Sequence, residues 1–167
     1  MLYCDLMVLN PYAKFLGAQD ARAVIAMTPG LVHQAVSAMT PGQIEAPIAE
    51  GKWSPREIVA HLADCELVFG FRLRQTLAMP SPVIQPFDQD DWAKRYADYD
   101  LASALEMFRA ARGWNVKLIG GLSEADWQRE MTHPERGTMT FQNVVETMAG
   151  HDNNHLGQLQ SVLGVEA

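Results

Sequence analysis

Two histidines near the C-terminus, His151 and His155, have the spacing of a metal-binding pair. If the surrounding residues form a helix, side chains four positions apart project from one face about one turn apart, close enough to bind a single cation. Met148 and Leu159 lie on the same stripe, so both imidazoles share the apolar face of that helix and point inward. A buried ring nitrogen without a partner costs roughly 1–3 kcal/mol, and a metal ion would satisfy both rings at once.

A third histidine, His61, lies on the apolar stripe of another predicted helix. Side chains from facing helices of a bundle meet in its core, so His61 can complete a three-histidine site with His151 and His155. Three imidazoles with an open position for water are the ligand set of a catalytic metal site, whereas structural sites are closed. Imidazole suits Zn, Ni, Fe and Cu, so these residues do not select the metal. Three separate core histidines, each bonded to a neighbouring group, are the alternative interpretation.

Acidic and sulfur side chains lie close to His61 in the sequence. Asp64 is predicted to accept a hydrogen bond from a ligand histidine and thereby orient its ring. Cys65 is either a fourth ligand or a small buried apolar residue, and the second interpretation is favoured because free cysteines are commonly buried. Glu66 can pair with Arg72 or Arg74 on the helix surface, and a solvated or interface role is expected for it.

The segment between His151 and His155 has the ligand spacing of a zinc-protease helix but lacks the glutamate that acts there as general base. Asp152 holds that position with a shorter side chain, which argues against protease chemistry. We expect Asp152 either to accept a hydrogen bond beside the site or to be solvated. His33 and His133 have no companion at ligand spacing and are assigned structural or solvent roles.

The composition restricts the class of protein. With 167 residues, the chain is long enough for one domain that buries about 70% of its unfolded surface. A net charge of −7 argues against nucleic-acid binding, which usually needs a basic patch.

Cys4 and Cys65 are too few for a disulfide framework, so a reducing cytoplasm is expected. The first residues lack the basic segment of a signal peptide, and prolines and glycines interrupt the uncharged stretch 23–44, so no membrane span is predicted.

Helix-start residues precede several segments with helical apolar periodicity. The third long helix is expected to face the core through Leu101, Leu105, Phe108, Ala111, Val116 and Ile119. The predicted helices are a short one over 20–27, one restarted by Thr28 and Pro29 that reaches about Met39, one from the capping box Ser54-Pro55-Arg56-Glu57 to about Leu77, one from Asp100 to Gly120-Gly121, and one from Thr140 to Gly164.

Loops are predicted between these helices. Residues 41–52 are rich in proline and glycine, 79–87 contain three prolines, and 128–139 are polar. One or two helical turns are expected within 90–96, and the stretch 79–99 is expected to line a pocket. Since no segment alternates convincingly as a strand would, the pattern predicts an all-α bundle. Residues 1–18 are interpreted as an N-terminal arm, and residues 19–167 as the bundle domain. The four tryptophans, Trp53, Trp92, Trp114 and Trp127, are interpreted as core or rim anchors.

Three motifs carry a resemblance to a known family: Trp53-Ser54 at a helix start, His61-Leu62-Ala63-Asp64-Cys65-Glu66 within that helix, and His151-Asp152-Asn153-Asn154-His155 with Gln158 in the last helix. Over about residues 20–163 the chain resembles the DinB-like superfamily of YfiT-type metal-dependent hydrolases, which is distinct from the DNA polymerase that shares the DinB name. The resemblance implies an up-down-down-up four-helix bundle and a bacterial homodimer. It also implies a divalent metal ion on the three histidines, with Zn or Ni expected first and Fe or Mn as alternatives.

The resemblance leaves the reaction open. Some members of the superfamily are similar to thiol transferases that use bacillithiol, mycothiol or glutathione, and to the mycothiol-dependent maleylpyruvate isomerase. The implied partner is therefore a small-molecule substrate, which includes low-molecular-weight thiols. An open three-histidine site can activate a thiol for S-transfer or a water for hydrolysis. The alternative is a non-catalytic, stress-related dimer that binds a small molecule or keeps a metal ion for stability.

Overall fold

The computed structural model describes residues 9–165. Its helices are, in chain order, α1 (Ala13–Leu16), α2 (Ala21–Ser37), α3 (Pro41–Glu45), α4 (Pro55–Ala78), α5 (Gln89–Ala93), α6 (Leu101–Gly120), α7 (Glu124–Trp127) and α8 (Phe141–Val162). A 3-10 turn, Tyr96–Asp98, lies between α5 and α6, and the antiparallel strands β1 (Glu130–His133) and β2 (Gly137–Thr140) lie between α7 and α8. The predicted all-α four-helix bundle is confirmed, with one small hairpin added to it. Within residues 9–165, no helix contains an apolar stretch long enough to cross a membrane.

The buried apolar side chains form two clusters, one at each end of the bundle. One cluster draws on the first halves of α2 and α8 and on the second halves of α4 and α6. The other cluster draws on the complementary halves of the same four helices. Helices α2 and α8 therefore run in one direction and α4 and α6 in the other, which is the up-down-down-up order. Buried histidines, carboxylates and an arginine form a polar layer between the two apolar ends.

The predicted starts of the three helices α4, α6 and α8 are confirmed. Ser54 and Glu57 form the predicted capping box at the start of α4. Asp100 accepts a hydrogen bond from the backbone of Ser103, and Thr140 forms a capping box with Asn143 at the start of α8. Each cap satisfies backbone N–H groups that the first helical turn leaves unpaired.

The predicted break at Thr28 and Pro29 is wrong, because α2 continues through both residues. A proline inside a helix leaves the carbonyl four residues earlier without its N–H donor. That carbonyl belongs to Ile25, and Arg112 Nη1 of helix α6 donates a hydrogen bond to it at 2.9 Å. The hydroxyl of Thr28 donates to the Val24 carbonyl at 2.7 Å and caps no helix. A side chain from a distant part of the sequence thus satisfies the carbonyl group that Pro29 leaves free.

Two predicted loops contain regular structure. Thr40 forms a capping box that opens α3 within 41–52. The stretch 128–139 includes most of the β1–β2 hairpin, in which Met131 pairs with Met139 and both side chains are buried. Each strand has four residues, too short for alternation to stand out from a polar segment.

The buried face of α6 also differs from the predicted stripe. Phe108 and Ile119 are buried as expected, but Ala104, Arg112 and Asn115 occupy the other buried positions. The remaining predicted residues, Leu101, Leu105, Ala111 and Val116, are half-buried at the edges of this face. The face is displaced because α6 contributes polar groups to the central layer of the bundle, whereas the apolar pattern marks only its flanks.

The described part of the predicted arm packs on α8. Asn153 Nδ2 donates a hydrogen bond to the Phe15 carbonyl at 3.0 Å, and Leu16 is buried. A Cβ atom on Gly150 would lie 2.4 Å from the carbonyl oxygen of Tyr12, so a glycine is needed for this approach. The rest of the predicted arm, residues 1–8 with Cys4, lies outside the described residues.

Candidate metal centre

The imidazole rings of His61, His151 and His155 meet in the polar layer between α4 and α8. The ring centroid of His61 lies 5.0 Å from that of His151 and 4.9 Å from that of His155. The centroids of His151 and His155 are 4.5 Å apart. The exposed fractions of the three residues are 0%, 4% and 6%. The predicted convergence of side chains from two distant helices is therefore observed.

Two ring nitrogens and one sulfur form the tightest group of potential ligand atoms. His61 Nε2 lies 2.9 Å from His151 Nε2 and 3.4 Å from Cys65 Sγ. Among residues 9–165, the ligand atoms of these three residues all lie within 4.8 Å of one another. Because metal–nitrogen bonds are about 2.1 Å and zinc–sulfur bonds about 2.3 Å, ligand atoms of one ion lie about 3–4 Å apart, and this set fits a metal ion with small side-chain shifts. Cys65 is buried as predicted and also belongs to the cluster, whereas the assignment of His155 as a ligand stays a prediction.

Hydrogen bonds on the outer side of two histidine rings favour the tautomer in which the inward-facing nitrogen, Nε2, carries a lone pair. His155 Nδ1 lies 2.8 Å from Gln158 Oε1. An amide oxygen only accepts, so Nδ1 carries the hydrogen and Nε2 keeps its lone pair. His61 Nδ1 lies 3.2 Å from Tyr96 Oη, which can hold the same tautomer by accepting from Nδ1–H.

Tyr96 takes the place predicted for Asp64. The Asp64 carboxylate is half-buried and forms no hydrogen bond to His61, although it lies three residues further along the same helix. Burial raises the pKa of Asp64. Tyr96 lies far from His61 in the sequence, in a 3-10 turn, so no local spacing pointed to it.

A buried ionic network lies beside His151. Arg112 Nη2 donates to Glu66 Oε1 at 2.7 Å, Arg112 Nη1 donates to Asp152 Oδ2, and Asn115 Nδ2 donates to Glu66 Oε2 at 2.9 Å. The predicted surface position of Glu66 is therefore wrong, because its ionic partner comes from α6 and its exposed fraction is 1%. Asp152 is not solvated either, and its Oδ1 lies 4.0 Å from His151 Nδ1, beyond hydrogen-bond distance. One arginine and two carboxylates leave a net negative charge beside the rings, which complements a cation.

Burial sets the protonation of the cluster. Burial, together with the neighbouring His151 and His155, lowers the pKa of His61 to about 2. Burial, together with His151, lowers the pKa of His155 to about 3. Burial, together with Glu66 and Asp152, raises the pKa of the Cys65 thiol well above its usual value. For Asp152, burial acts to raise the pKa, but the charge and hydrogen bonds of Arg112, together with the nearby His151 ring, prevail and lower it. His61 and His155 are therefore neutral, which is the form of imidazole that binds metal ions.

Aromatic side chains from irregular segments enclose the rings. The centroid of Trp53 lies 4.7 Å from that of His61, and the centroid of Tyr12 lies 5.1 Å from that of His151. Phe87 stacks on His61 at 6.4 Å. These residues keep bulk water away from the nitrogens. Of the three, only Trp53 was singled out in the sequence, as a core or rim anchor.

Two cavities reach the histidines from different sides. One, of about 330 Å³, is lined by Cys65 and His151, and the other, of about 290 Å³, by Trp53 and His155. Tyr12 and Gln89 line both cavities and so lie between them. Phe87, Gln89 and Asp90 come from the stretch 79–99, which was expected to line a pocket. A larger cavity of about 720 Å³ between α1, α2 and α7 has none of the histidines in its wall.

The two remaining histidines differ from each other. His33 is exposed on α2. His133 is buried, accepts a hydrogen bond from the Glu135 backbone N–H at 3.1 Å, and lines the cavity beside Cys65. Its structural role was expected, but its place in the wall of that cavity was not.

The sequence profile of the DinB superfamily matches residues 25–159, a range that includes His61, Cys65, His151 and His155. The chain belongs to the DinB superfamily. This confirms the resemblance that the three motifs carried. The solved structure of YfiT from Bacillus subtilis matches this DinB superfamily chain with a TM-score of 0.80 and 26% identity, over 85% of this chain and 83% of that one. That structure is described as having "an unusual four-helix bundle topology".

Relatives of this chain carry a functional name. A protein of Oceanobacillus iheyensis is 29% identical over 80% of this chain and 78% of its own length, and it is named "Putative metal-dependent hydrolase". YfiT of Bacillus subtilis is 27% identical over 81% of this chain and 78% of its own length, and it has the same name. The relatives are thus named for metal-dependent chemistry, and the names state neither the metal nor the substrate.

Proposed function

We propose that this DinB superfamily member is a metal-dependent enzyme in which His61, His151 and His155 hold a divalent cation. Zn or Ni is proposed first, as the resemblance to the superfamily implies, and Fe or Mn is the alternative, because imidazoles alone do not select the metal. The observation that carries the proposal is the meeting of three buried imidazoles, of which His151 lines one cavity and His155 lines another. Cys65 Sγ is close enough to serve as a further ligand.

The proposed reaction is the hydrolysis of a small molecule, as the names of the relatives suggest. A divalent ion at this position would supply Lewis-acid chemistry, lowering the pKa of a bound water or thiol. The protein's own groups prepare the site. Tyr96 and Gln158 orient two rings, the network of Arg112 places negative charge beside a third, and Tyr12 and Trp53 limit the access of water.

Transfer of a low-molecular-weight thiol is the second candidate. It is favoured by the presence of two separate cavities of similar size at the same cluster, since S-transfer needs room for a thiol and an electrophile. In that reaction the thiolate sulfur forms a bond to the electrophilic carbon, the leaving group departs with its electron pair, and the thiol proton passes to solvent.

Activity panels test the proposal. Full-length protein loaded with Zn or Ni would be incubated with ester and amide panels, and separately with thiols plus alkylating electrophiles. We expect metal-dependent turnover in at least one panel, abolished in His155→Ala and unchanged in His33→Ala, a control at an exposed position. Absence of metal-dependent turnover in every panel would contradict the enzyme proposal and favour the non-catalytic alternative, in which His155→Ala lowers stability alone.

We also propose that the chain forms a homodimer. The large apolar side chains of Leu67 and Phe71 on α4 and of Trp114 on α6 are 48%, 63% and 66% exposed, which supports an interface on these neighbouring helices. Light scattering is expected to give the mass of a dimer for the wild type and of a monomer for Trp114→Lys. A monomeric wild type would refute this assembly.

A further inference from the structure

Two arginines line the cavity beside Cys65 and His151 without a carboxylate partner. Arg72 follows Cys65 by two helical turns on α4, and Arg136 lies in the turn of the β1–β2 hairpin. Neither forms a salt bridge with any residue from 9 to 165. Arg72 Nη2 donates to the Gln85 carbonyl at 2.6 Å, but its Nε is buried without a partner.

The two positive charges of this wall exceed the single negative charge of Glu135 beside them. Glu135 lines the same cavity, but its carboxylate lies beyond salt-bridge distance of both arginines. Burial lowers the pKa of Arg72, and the charge of Arg136 lowers it further. Two guanidinium groups held beside one cavity repel each other, and an anion between them would relieve that repulsion.

We propose that this cavity binds the carboxylate or phosphate group of a small substrate, with Arg72 and Arg136 as its anchors. The planar guanidinium fork matches both oxyanions, because each can accept two parallel N–H bonds. The inference rests on the proposed function in one respect: the bound anion would direct the rest of the substrate toward His151 and Cys65, which line the same cavity.

The other walls limit the size and character of the ligand. A volume of about 330 Å³ lies near the lower end of small-molecule sites, about 300–1,000 Å³. Val68, Phe69 and Phe87 supply apolar surface in the same cavity. The expected ligand is therefore a small organic acid or phosphate ester with a short apolar body.

Calorimetric titration of the full-length protein with succinate, inorganic phosphate and dimethyl succinate tests the site. The titrations would be run on chelator-treated and on metal-loaded protein. We expect binding of succinate, phosphate or both, no detectable binding of the neutral diester, and about tenfold weaker anion binding in Arg136→Gln. The matched control is Arg109→Gln, at an exposed position on α6, which should bind as the wild type does.

The outcomes separate this proposal from the proposed function. Anion binding that persists in metal-free protein supports the oxyanion site even if no panel shows turnover. Succinate without phosphate binding would identify the ligand as a carboxylate, and the reverse would identify it as a phosphate.

Equal binding of succinate and its diester, or wild-type affinity in both Arg136→Gln and Arg72→Lys, would overturn the proposal. So would loss of metal together with anion affinity in Arg136→Gln, since the arginine would then act on the structure of the centre. If Arg136→Gln does not fold, the diester comparison on the wild type decides.

Discussion

The hydroxyl of Tyr96 and the amide of Gln158 favour Nε2 of their histidines as the atom that faces the cluster. Such outer hydrogen bonds orient the ring and fix its tautomer, and a ligand histidine without one binds metal more weakly. The histidines themselves were predictable, because a four-residue spacing on an apolar helical face constrains where the rings point. Their partners were not all predictable: Gln158 lies three residues from His155, whereas Tyr96 reaches His61 only through the tertiary fold.

Replacing Tyr96 by phenylalanine removes the hydrogen bond to His61 and preserves the ring. We expect metal affinity to fall about 10-fold to 100-fold, and the free energy of unfolding to fall by only about 1 kcal/mol. A competition titration with a chromophoric chelator measures the first, and urea unfolding the second. Tyr99→Phe is the control, since Tyr99 is 45% exposed and makes no contact with the histidines. Wild-type metal affinity in Tyr96→Phe would mean that the hydroxyl does not orient a ligand.

At the scale of helices, Arg112 joins all four members of the bundle. It extends from α6 and contacts the Ile25 carbonyl of α2, Glu66 of α4 and Asp152 of α8. The local signals of the sequence predicted where the long helices begin, because caps act within one turn. The local signals did not predict that α2 continues through Pro29, that Glu66 is buried, or which face of α6 is buried. Each of these features depends on Arg112, whose partners are distant in the sequence.

Arg112→Met would leave two carboxylates buried without their cation. Breaking a buried ion pair by removing one partner costs about 3–5 kcal/mol, so we expect a loss of this size in the free energy of unfolding. Urea unfolding at neutral pH measures it. The control Arg109→Met lies one turn away on the exposed side of α6 and should change stability by about 0.5 kcal/mol or less. A loss below about 1 kcal/mol for Arg112→Met would show that the network is solvated or rearranged.

Gly150 determines how closely the N-terminal segment approaches α8. An added Cβ would lie 2.4 Å from the Tyr12 carbonyl oxygen and 2.9 Å from its Cβ, so Gly150→Ala must displace Tyr12 from its place beside His151. We expect a net loss of stability and faster proteolysis near residues 9–17.

The matched control for that substitution is Gly113→Ala on α6, where a Cβ would meet nothing within 4 Å. Alanine is favoured over glycine inside a helix by about 0.8–1.0 kcal/mol, so the control should be stabilised. An equal gain in both variants, measured by urea unfolding, would show that Tyr12 does not pack on α8.

For the whole molecule, the polar layer divides the apolar core into two ends and contains the candidate centre. The pattern of apolar residues was sufficient to predict the bundle, because most buried positions at both ends follow helical periodicity. The same pattern could not reveal the walls of the centre. Tyr12, Phe87 and Tyr96 come from short turns and irregular segments whose packing is decided by the assembled fold.

The buried histidines make the metal-free protein sensitive to acid. Their pKa values are about 2 for His61 and about 3 for His155 in the folded chain, against about 6.5 when unfolded. Below about pH 6.5 the unfolded state therefore binds these protons first, and stability falls as the pH decreases. Each histidine contributes about 1.4 kcal/mol per pH unit, and the two together about 2.7 kcal/mol per unit, between about pH 6 and pH 3.

Urea unfolding of chelator-treated protein at pH 7, 6 and 5 measures this slope. His155→Gln should reduce it by about half, and His33→Gln should leave it unchanged. A stability that is constant from pH 7 to pH 5 would mean that the rings are accessible to protons in the folded state.

The metal content of the purified protein tests the central claim most directly. Elemental analysis would compare the wild type with His61→Ala, His151→Ala and His155→Ala, and with His33→Ala as control, each purified without chelator. The account predicts about one transition-metal ion per chain in the wild type and in His33→Ala, and none in the three cluster variants. A wild type that carries no metal under any loading condition, or a His155→Ala protein that keeps its full metal content, would contradict the three-histidine centre.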